Sequence, residues 1–510
     1  MDAGLFEFVE AMNAGNPQRS LPRRRSALRS GFATGIATLI VSGSAAVAGA
    51  YLAHKFGRNA RTDGFLAAYG VYLVIVLAAQ AFRIVIVPDL TRASAEGNLA
   101  AEFRSWAAAF LVLAVPISLF AAVLSHPLGE LLTGRLPESA SSIAARTLVW
   151  VVPAGFAQLL AALTASALAA RDSYVVAAAG YALGAIANLV VFVSLAPSHG
   201  LIALAWGVAL NGAIALALPL AALVRGGHVR GVLGRGVAIV PRLWKLVQAA
   251  SVPLALQGLY LIALRGASGL GTGNQTSLTY AYLIAGTLVA ATASSVSMIS
   301  SAPLTRRGID AESAAAHVVH AAWLSLTLIG AAAGVFALVG GRVVHLFLGG
   351  AFSGEVGRDL GHLVVYLAPW MVASVAFSVT FPLLFVLERP RVLVPLAVAA
   401  LLADAPLSLA LRAVLDLPGL VLALAITTFG VILVLMAAVS RRMLVLAAVG
   451  LLRTAAIVAT LTLVVFGLPS LVLPSIPAAL AGFVLYAGAL VVLRPPGLTA
   501  AWTYVRALHH

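Results

Sequence analysis

Few residues in this chain could do chemistry, and most of them are cations placed where hydrocarbon is expected. Arg83 stands inside an apolar run, 64–87, with Gln80 three residues before it on the same helical face. An arginine at the centre of a membrane span costs about 2.5–3.5 kcal/mol on insertion scales, so it either faces a cavity or snorkels to the headgroups. Gln80 favours the cavity for Arg83. Arg265, one turn from the end of a later apolar run, carries the same two readings. Asp404 lies deep in a third run, with Pro406 after it. It is a protonatable coupling site, the partner of an arginine, or a neutral hydrogen-bonded carboxyl. Asp63 follows Thr62 at a helix start, where capping or cargo contact would explain it. Beside it, His54, Lys55, Arg58 and Arg61 form a basic cluster suited to lipid headgroups or an anionic cargo. Tyr280 and Tyr282 open a helix carrying Thr287, Ser294, Ser297 and Ser301, residues that permit close helix packing or line a polar cavity.

The missing motifs narrow the chemistry. The chain has no cysteine, which removes disulfides, thiolate metal sites and cysteine nucleophiles. Neither lysine, Lys55 or Lys245, follows a glycine-rich phosphate loop, and there is no HExxH cluster. GLGTG at 269–273 lacks the strand and helix a dinucleotide site needs. Expected, therefore, are no enzyme activity, no cofactor and no bound metal. Any work must draw on an ion gradient, the membrane potential or consumption of the cargo.

The elements that hold these residues follow from composition. Hydrophobic residues make up 62% of the 510, charged residues 10%, and the mean hydropathy is +1.04. A soluble domain carries about 25% charged residues. The class is therefore an all-α polytopic membrane protein. Apolar runs divide it into about fourteen transmembrane helices: 33–53, 64–87, 105–124, 146–169, 174–195, 200–224, 246–266, 277–303, 313–340, 361–387, 391–411, 418–439, 450–467 and 471–493. No removable signal peptide is read in residues 1–30, which instead form a basic cytoplasmic leader. With the N-terminus inside, inner segments hold 22 lysines and arginines against nine outside, with Arg83 between them. That bias sets both termini in the cytoplasm, and it accounts for the net charge of +15 without nucleic acid.

The chain repeats itself. VPDLTR at 87–92 returns as APLTR at 302–306, LVWVVPAGF at 148–156 as VVYLAPWMV at 364–372, and GLIALA at 200–205 as GLVLALA at 419–425. Arg171-Asp172 returns as Glu388-Arg389, and Ala187-Asn188 as Ala403-Asp404. The offset stays between 214 and 219. An even-numbered duplicated unit enters the membrane in the same sense twice, giving two parallel-repeat six-helix lobes with a site between them. The expected divisions are the leader 1–30, an N-lobe 31–224, a basic linker 225–245, a C-lobe 246–440, two C-terminal helices in 441–494 and a cytoplasmic tail 495–510.

This organisation, FGRNARTDGFLAAY at 56–69, AFRIVIVPDLTRA at 81–93 and TSLTYAYLIAGTLVAATASSVSMISSAPLTR at 276–306 resemble the MurJ/MviN lipid II flippases of the multidrug/oligosaccharidyl-lipid/polysaccharide (MOP) exporter superfamily. Where that family has an arginine pair in helix 2, this chain has Val74 and Ile75, and an Asp-Arg pair of helix 8 falls at Tyr282 and Leu283. The resemblance implies a carrier in the inner (cytoplasmic) membrane that flips an undecaprenyl-diphosphate-linked glycan by alternating access, with the lipid tail against the last two helices. Arg83 and Arg265 would meet the anion, Gln80, Tyr280, Tyr282, Asp63 and Arg61 would line the route, and Asp404 would couple H+ or Na+. Two alternatives stand beside it. One is a cation-coupled multidrug or polysaccharide exporter of the same superfamily. The other is a non-transporting scaffold that gathers cell-envelope synthesis proteins.

Overall fold

A computed structural model describes residues 21–171, 173–227, 239–307, 311–386, 390–493 and 498; for some helical residues, among them 21–34, Gln80 and 291–307, it describes the backbone alone. Regular structure among the described residues is helical throughout. In chain order the helices are α1 (Leu21–Phe56), α2 (Ala60–Ala95), α3 (Leu99–Val123), α4 (Ser125–Thr133), α5 (Glu138–Ala169), α6 (Val175–His199), α7 (Ile202–Arg225) and α8 (Ile239–Ser268). Then come α9 (Asn274–Arg307), α10 (Ala311–Leu348), α11 (Gly354–Tyr366), α12 (Ala368–Val386), α13 (Leu393–Val439), α14 (Arg441–Ser470) and α15 (Ser475–Leu493).

Twelve spans among the described residues are long and apolar enough to cross a membrane. One of them joins α11 to α12, and α13 folds into a hairpin. Its backbone leaves helical geometry at Asp416 (φ 53°, ψ −130°), and Gly419 lies so close to the Leu411 carbonyl that a Cβ would stand 2.2 Å from its oxygen. With α13 crossing twice and α9 running 34 residues, the expected fourteen crossings are accounted for.

Several boundaries differ from expectation. α1 begins at Leu21, inside the expected leader, and α2 continues through Pro88 to Ala95. A proline inside a membrane helix is tolerated because neighbouring helices and local adjustment satisfy the freed backbone. The single expected helix 361–387 breaks at Leu367, which places Pro369 in the first turn of α12, where it costs no hydrogen bond. The short α4 was not anticipated; it lies along α5 with Gly129 close to the Ser141 carbonyl.

The helices pack as two bundles. α2 lies along α5, and α6, α7 and α1 close around them; α10 joins α11, α12, α14 and α15 in the second. α8 packs on α13 and also on α2, so it runs along the seam. The internal repeat reaches atomic detail. In the first bundle Gly184 faces Asn211 and Gly207 faces Asn188, each so near that a Cβ would lie 2.4 Å and 2.3 Å from the asparagine oxygen. In the second, Thr427 donates to Asp404 at 2.8 Å. Asn188 to Asp404 and Asn211 to Thr427 are both steps of 216 residues. The same pair of repeat positions thus lies at a helix–helix contact in each bundle, against glycines in the first and bonded to each other in the second.

The Gly180–Gly184 pair serves close packing, with Gly180 against Pro219 and Gly184 against Asn211. Gly184→Leu inserts a side chain where there is no room, and overpacking costs about 1–3 kcal/mol. The expected result is a fall of several degrees in the thermal unfolding midpoint of the detergent-solubilised protein, with Gly43→Leu, which faces open space, leaving it unchanged.

Candidate functional site: the seam and the Arg83 pocket

One end of the seam, which the charge bias of the sequence would put outside, is held by a carboxylate at a helix N-terminus. Asn59, in extended geometry, caps α2 by accepting from the backbone N–H groups of Arg61 and Thr62 at 3.0 and 3.1 Å. Asp63 is thereby released from capping its own helix and turns across the seam. Fully buried, it accepts from the backbone N–H of Gly273, and its Oδ1 accepts from the Thr276 N–H at 2.8 Å and the Thr276 hydroxyl at 2.6 Å. These are the free donors that open α9, and a negative charge there also favours the helix dipole. Arg58 adds a second clasp, its Nε donating to the Gly273 carbonyl at 2.8 Å and its Nη2 to Asn274 Oδ1 at 3.2 Å. Gln275 ties the same turn to the carbonyls of Leu132 and Leu264, both at 3.0 Å.

Beneath the clasp the seam is aromatic and dry. Tyr280 donates to the Gly49 carbonyl of α1 at 3.1 Å and meets Phe352 edge-on. Tyr282 stacks on Tyr260 with ring centres 4.1 Å apart, touches Trp370 and donates to Gln257 Oε1 at 3.0 Å. Both tyrosines are buried in one continuous core that spans the two bundles.

At the other end α8 is joined to α2 and α3. Lys245 pairs with Asp89 at 2.9 Å, and Arg242 pairs with Glu102 at 2.7 Å while lying over the Trp106 ring. Asp63 and Arg83 are twenty residues apart on α2, about 30 Å along a helix at 1.5 Å per residue. The clasp and the ion pairs therefore sit at opposite ends of the seam.

Arg83 lies toward the ion-paired end of α2, inside the first bundle. A pocket of about 320 Å³ between α1, α2, α5 and α6 receives it, together with Gln158, Tyr174, Tyr181 and Thr38. Half of the fourteen lining residues are alanine, which leaves the guanidinium unpacked. No carboxylate among the described residues comes within ion-pair distance of it: Asp89 and Glu102 are taken by α8, and Asp63 is at the far end. The Gln80 side chain lies outside the described residues.

The remaining expected residues are scattered. Arg265 is exposed at the end of α8, donating to Ser268 Oγ at 3.1 Å and covering Gly134 at the end of α4. Its length carries it to the outer surface. Arg265 is not among the residues that line the Arg83 pocket. Arg61 is exposed. Asp404 is fully buried between the arms of α13, accepting from Thr427 Oγ1 at 2.8 Å and Ser408 Oγ at 3.2 Å. Thr287 bonds back to the Leu283 carbonyl of its own helix, and the side chains of Ser294, Ser297 and Ser301 lie outside the described residues. Residues not singled out from sequence are Asn59, Asn274, Thr276, Asp89, Glu102 and Tyr181. Their partners are more than a hundred residues away in most cases, so spacing carried no signal.

An all-α bundle of this order is the fold of the MOP superfamily transporters. The lipid II flippase MurJ in an inward closed conformation matches with a TM-score of 0.69 at 14% identity, covering 90% of this chain and 98% of that one. A multidrug resistance MATE transporter in an inward-facing conformation gives 0.62 at 13% identity, covering 84% and 98%. A MOP superfamily transporter from Pyrococcus furiosus, described by a binding pocket of reverse polarity, gives 0.60 at 13%, covering 85% and 95%. No family model and no curated protein sequence matches the chain.

Because the chain lacks cysteine, a single introduced thiol reports seam opening. Leu278→Cys, fully buried just below the clasp, is expected to resist a membrane-impermeant maleimide added outside. Asp63→Asn removes a charge-assisted bond worth about 1.5–3 kcal/mol and is expected to raise the labelling rate roughly tenfold or more. Unchanged labelling would mean that Asp63 does not hold the outer mouth shut.

Proposed function

We propose that the chain is a transporter that carries an anionic, lipid-linked glycan bearing a diphosphate across the inner membrane by alternating access. The observation that carries this reading is Arg83, a guanidinium in an intramembrane pocket with no acidic partner among the described residues. Holding such a charge within the bilayer is costly, and an anionic cargo offsets that cost when it arrives. The two bundles are the moving bodies, with lobe divisions at 31–224 and 246–440 and both termini in the cytoplasm. Opening outward needs Asp63 and Arg58 to release α9; opening inward needs Lys245 and Arg242 to release α2 and α3. Each set is polar and short-ranged, so it breaks as a unit while the apolar bundle interiors stay intact.

The solved relatives by fold include a lipid II flippase and a multidrug transporter, and the pocket charge favours the first kind of cargo over a cation. The apolar groove of about 550 Å³ between α14 and α15, lined by Val464, Leu468 and Val484 among others, suits the lipid chain. Asp404 supports coupling to H+ or Na+: it is a buried acid whose partners, two hydroxyl groups, suit either a proton or a hard cation.

In proteoliposomes containing a fluorescent lipid-linked glycan diphosphate, the wild-type protein is expected to move label between leaflets. Arg83→Ala is expected to slow that movement at least tenfold, and equal rates would remove Arg83 from the route. Asp404→Asn is expected to leave downhill movement intact while abolishing its response to an imposed H+ or Na+ gradient. A gradient response equal to wild type would take coupling away from Asp404.

A further inference from the structure

The seam between the bundles is filled by aromatic rings, and the rings stand in two rows. On α2, Phe65, Tyr69 and Tyr72 are spaced by four and three residues and so share one helical face. They lie ring against ring, with centres 6.0 and 5.3 Å apart and planes inclined by 14° and 29°. In the second row Tyr260 of α8 stacks on Tyr282 of α9, which meets Trp370 of α12 at 4.7 Å. The rows touch at Gly70, between Tyr69 and Tyr72. A Cβ there would stand 3.5 Å from Tyr260 Cε1 and 3.0 Å from the Leu264 side chain. Packing alone does not call for such rings, since both bundle interiors are built largely from alanine, leucine and valine.

The rows sit on different bodies. α2 packs with α5 in the first bundle, α9 and α12 pack together in the second, and α8 packs on α13. Parting of the bundles therefore leaves one row on each wall, with ring faces uncovered. An aromatic face carries partial negative charge. A pyranose presents the complement, a flat face of C–H groups with its hydroxyls around the rim. Polar groups for that rim stand beside the rings: Gln257 accepts from Tyr282 at 3.0 Å, and Tyr260 donates to Thr279 Oγ1 at 3.0 Å. The α2 row covers seven residues of rise, about 10 Å, which is the length of a disaccharide.

We propose that these rows are the sugar-binding walls of the transport route, with the rings of a lipid-linked glycan stacking on Tyr69 and Tyr72 from one side and on Tyr260 from the other. The proposal rests on the transport reading above and deepens it by naming what recognises the glycan. Recognition is then by ring faces, so it separates a glycan-bearing lipid from the same lipid diphosphate without sugar.

The test uses the full-length protein in nanodiscs of neutral lipid, with retention measured by native mass spectrometry. The two probes are short-chain polyprenyl diphosphates, one bearing a disaccharide and one bare. The wild type is expected to retain the disaccharide-bearing lipid roughly tenfold more strongly. Tyr69→Leu and Tyr260→Leu, which keep apolar bulk but remove a ring, are each expected to lower that ratio severalfold while leaving the bare lipid unchanged. Tyr69→Phe keeps the ring and is expected to keep the ratio, as is Phe466→Leu, whose ring packs on Tyr486 away from the seam. An unchanged thermal unfolding midpoint certifies each variant as folded, and if one leucine variant is lost the other stands alone. A ratio that survives in a folded leucine variant would overturn the walls. A wild-type ratio near one would also overturn them, and ethidium binding lost in the leucine variants would then assign the rings to flat cationic drugs. The transport reading fails separately: if the ratio behaves as expected but no lipid-linked glycan moves between leaflets, the sugar site survives and the carrier does not.

Discussion

A single carboxylate reaching across the seam joins α2 to the start of α9. Asp63 leaves its own helix and satisfies the opening donors of α9, groups that otherwise have no partner in a low-dielectric environment. The contact is strong because the acceptor is charged and the donors are preorganised, and it is local enough to be released in one motion. Arg58 binds the same turn from the first bundle, and Gln275, within that turn, donates to the carbonyls of Leu132 and Leu264, so the contacts at this end of the seam converge on the start of α9. Beneath it, stacked tyrosines exclude water and make the closed seam as dense as a bundle interior.

The inner end uses different chemistry for the same purpose. There α8 offers cations to acids on α2 and α3, a pairing that tolerates separation because each partner can return to the aqueous interface. The asymmetry has a consequence for Arg83. It lies on the same helix as Asp63, about 30 Å away by helical rise, so any tilt of α2 that frees the outer clasp also moves the guanidinium. Asp63 and Arg83 share one helix.

Much of the fold was legible in the sequence. Eleven of the fourteen expected apolar runs each overlay one described helix, the runs 391–411 and 418–439 share α13, and 361–387 is divided between α11 and α12. Proline and glycine punctuation located most turns, but it misjudged Pro88, which the helix absorbs, and the start of α1, where a basic segment continues the helix beyond the apolar stretch. The steady offset placed Asn188 with Asp404, and both lie at helix–helix contacts, one against Gly207 and the other accepting from Thr427. The site was read less completely. Arg83 announced itself because hydrocarbon makes a lone cation conspicuous. Arg265 gave the same signal yet ends at the surface, because one turn from a helix end is within the reach of its own side chain. Asp63 was noticed for the wrong neighbour, since Asn59 four residues earlier does the capping and the true partner is 210 residues away. Contacts across a seam leave no periodicity to read.

The central claim is that the outer mouth is a two-state closure held by Asp63. Spin labels at the exposed outer positions Arg61 and Gly271, one on each side of the seam, report its width by double electron–electron resonance. The account predicts a dominant short distance in the wild type and a growing long-distance population in Asp63→Asn. A single unchanged distance in both proteins would contradict it.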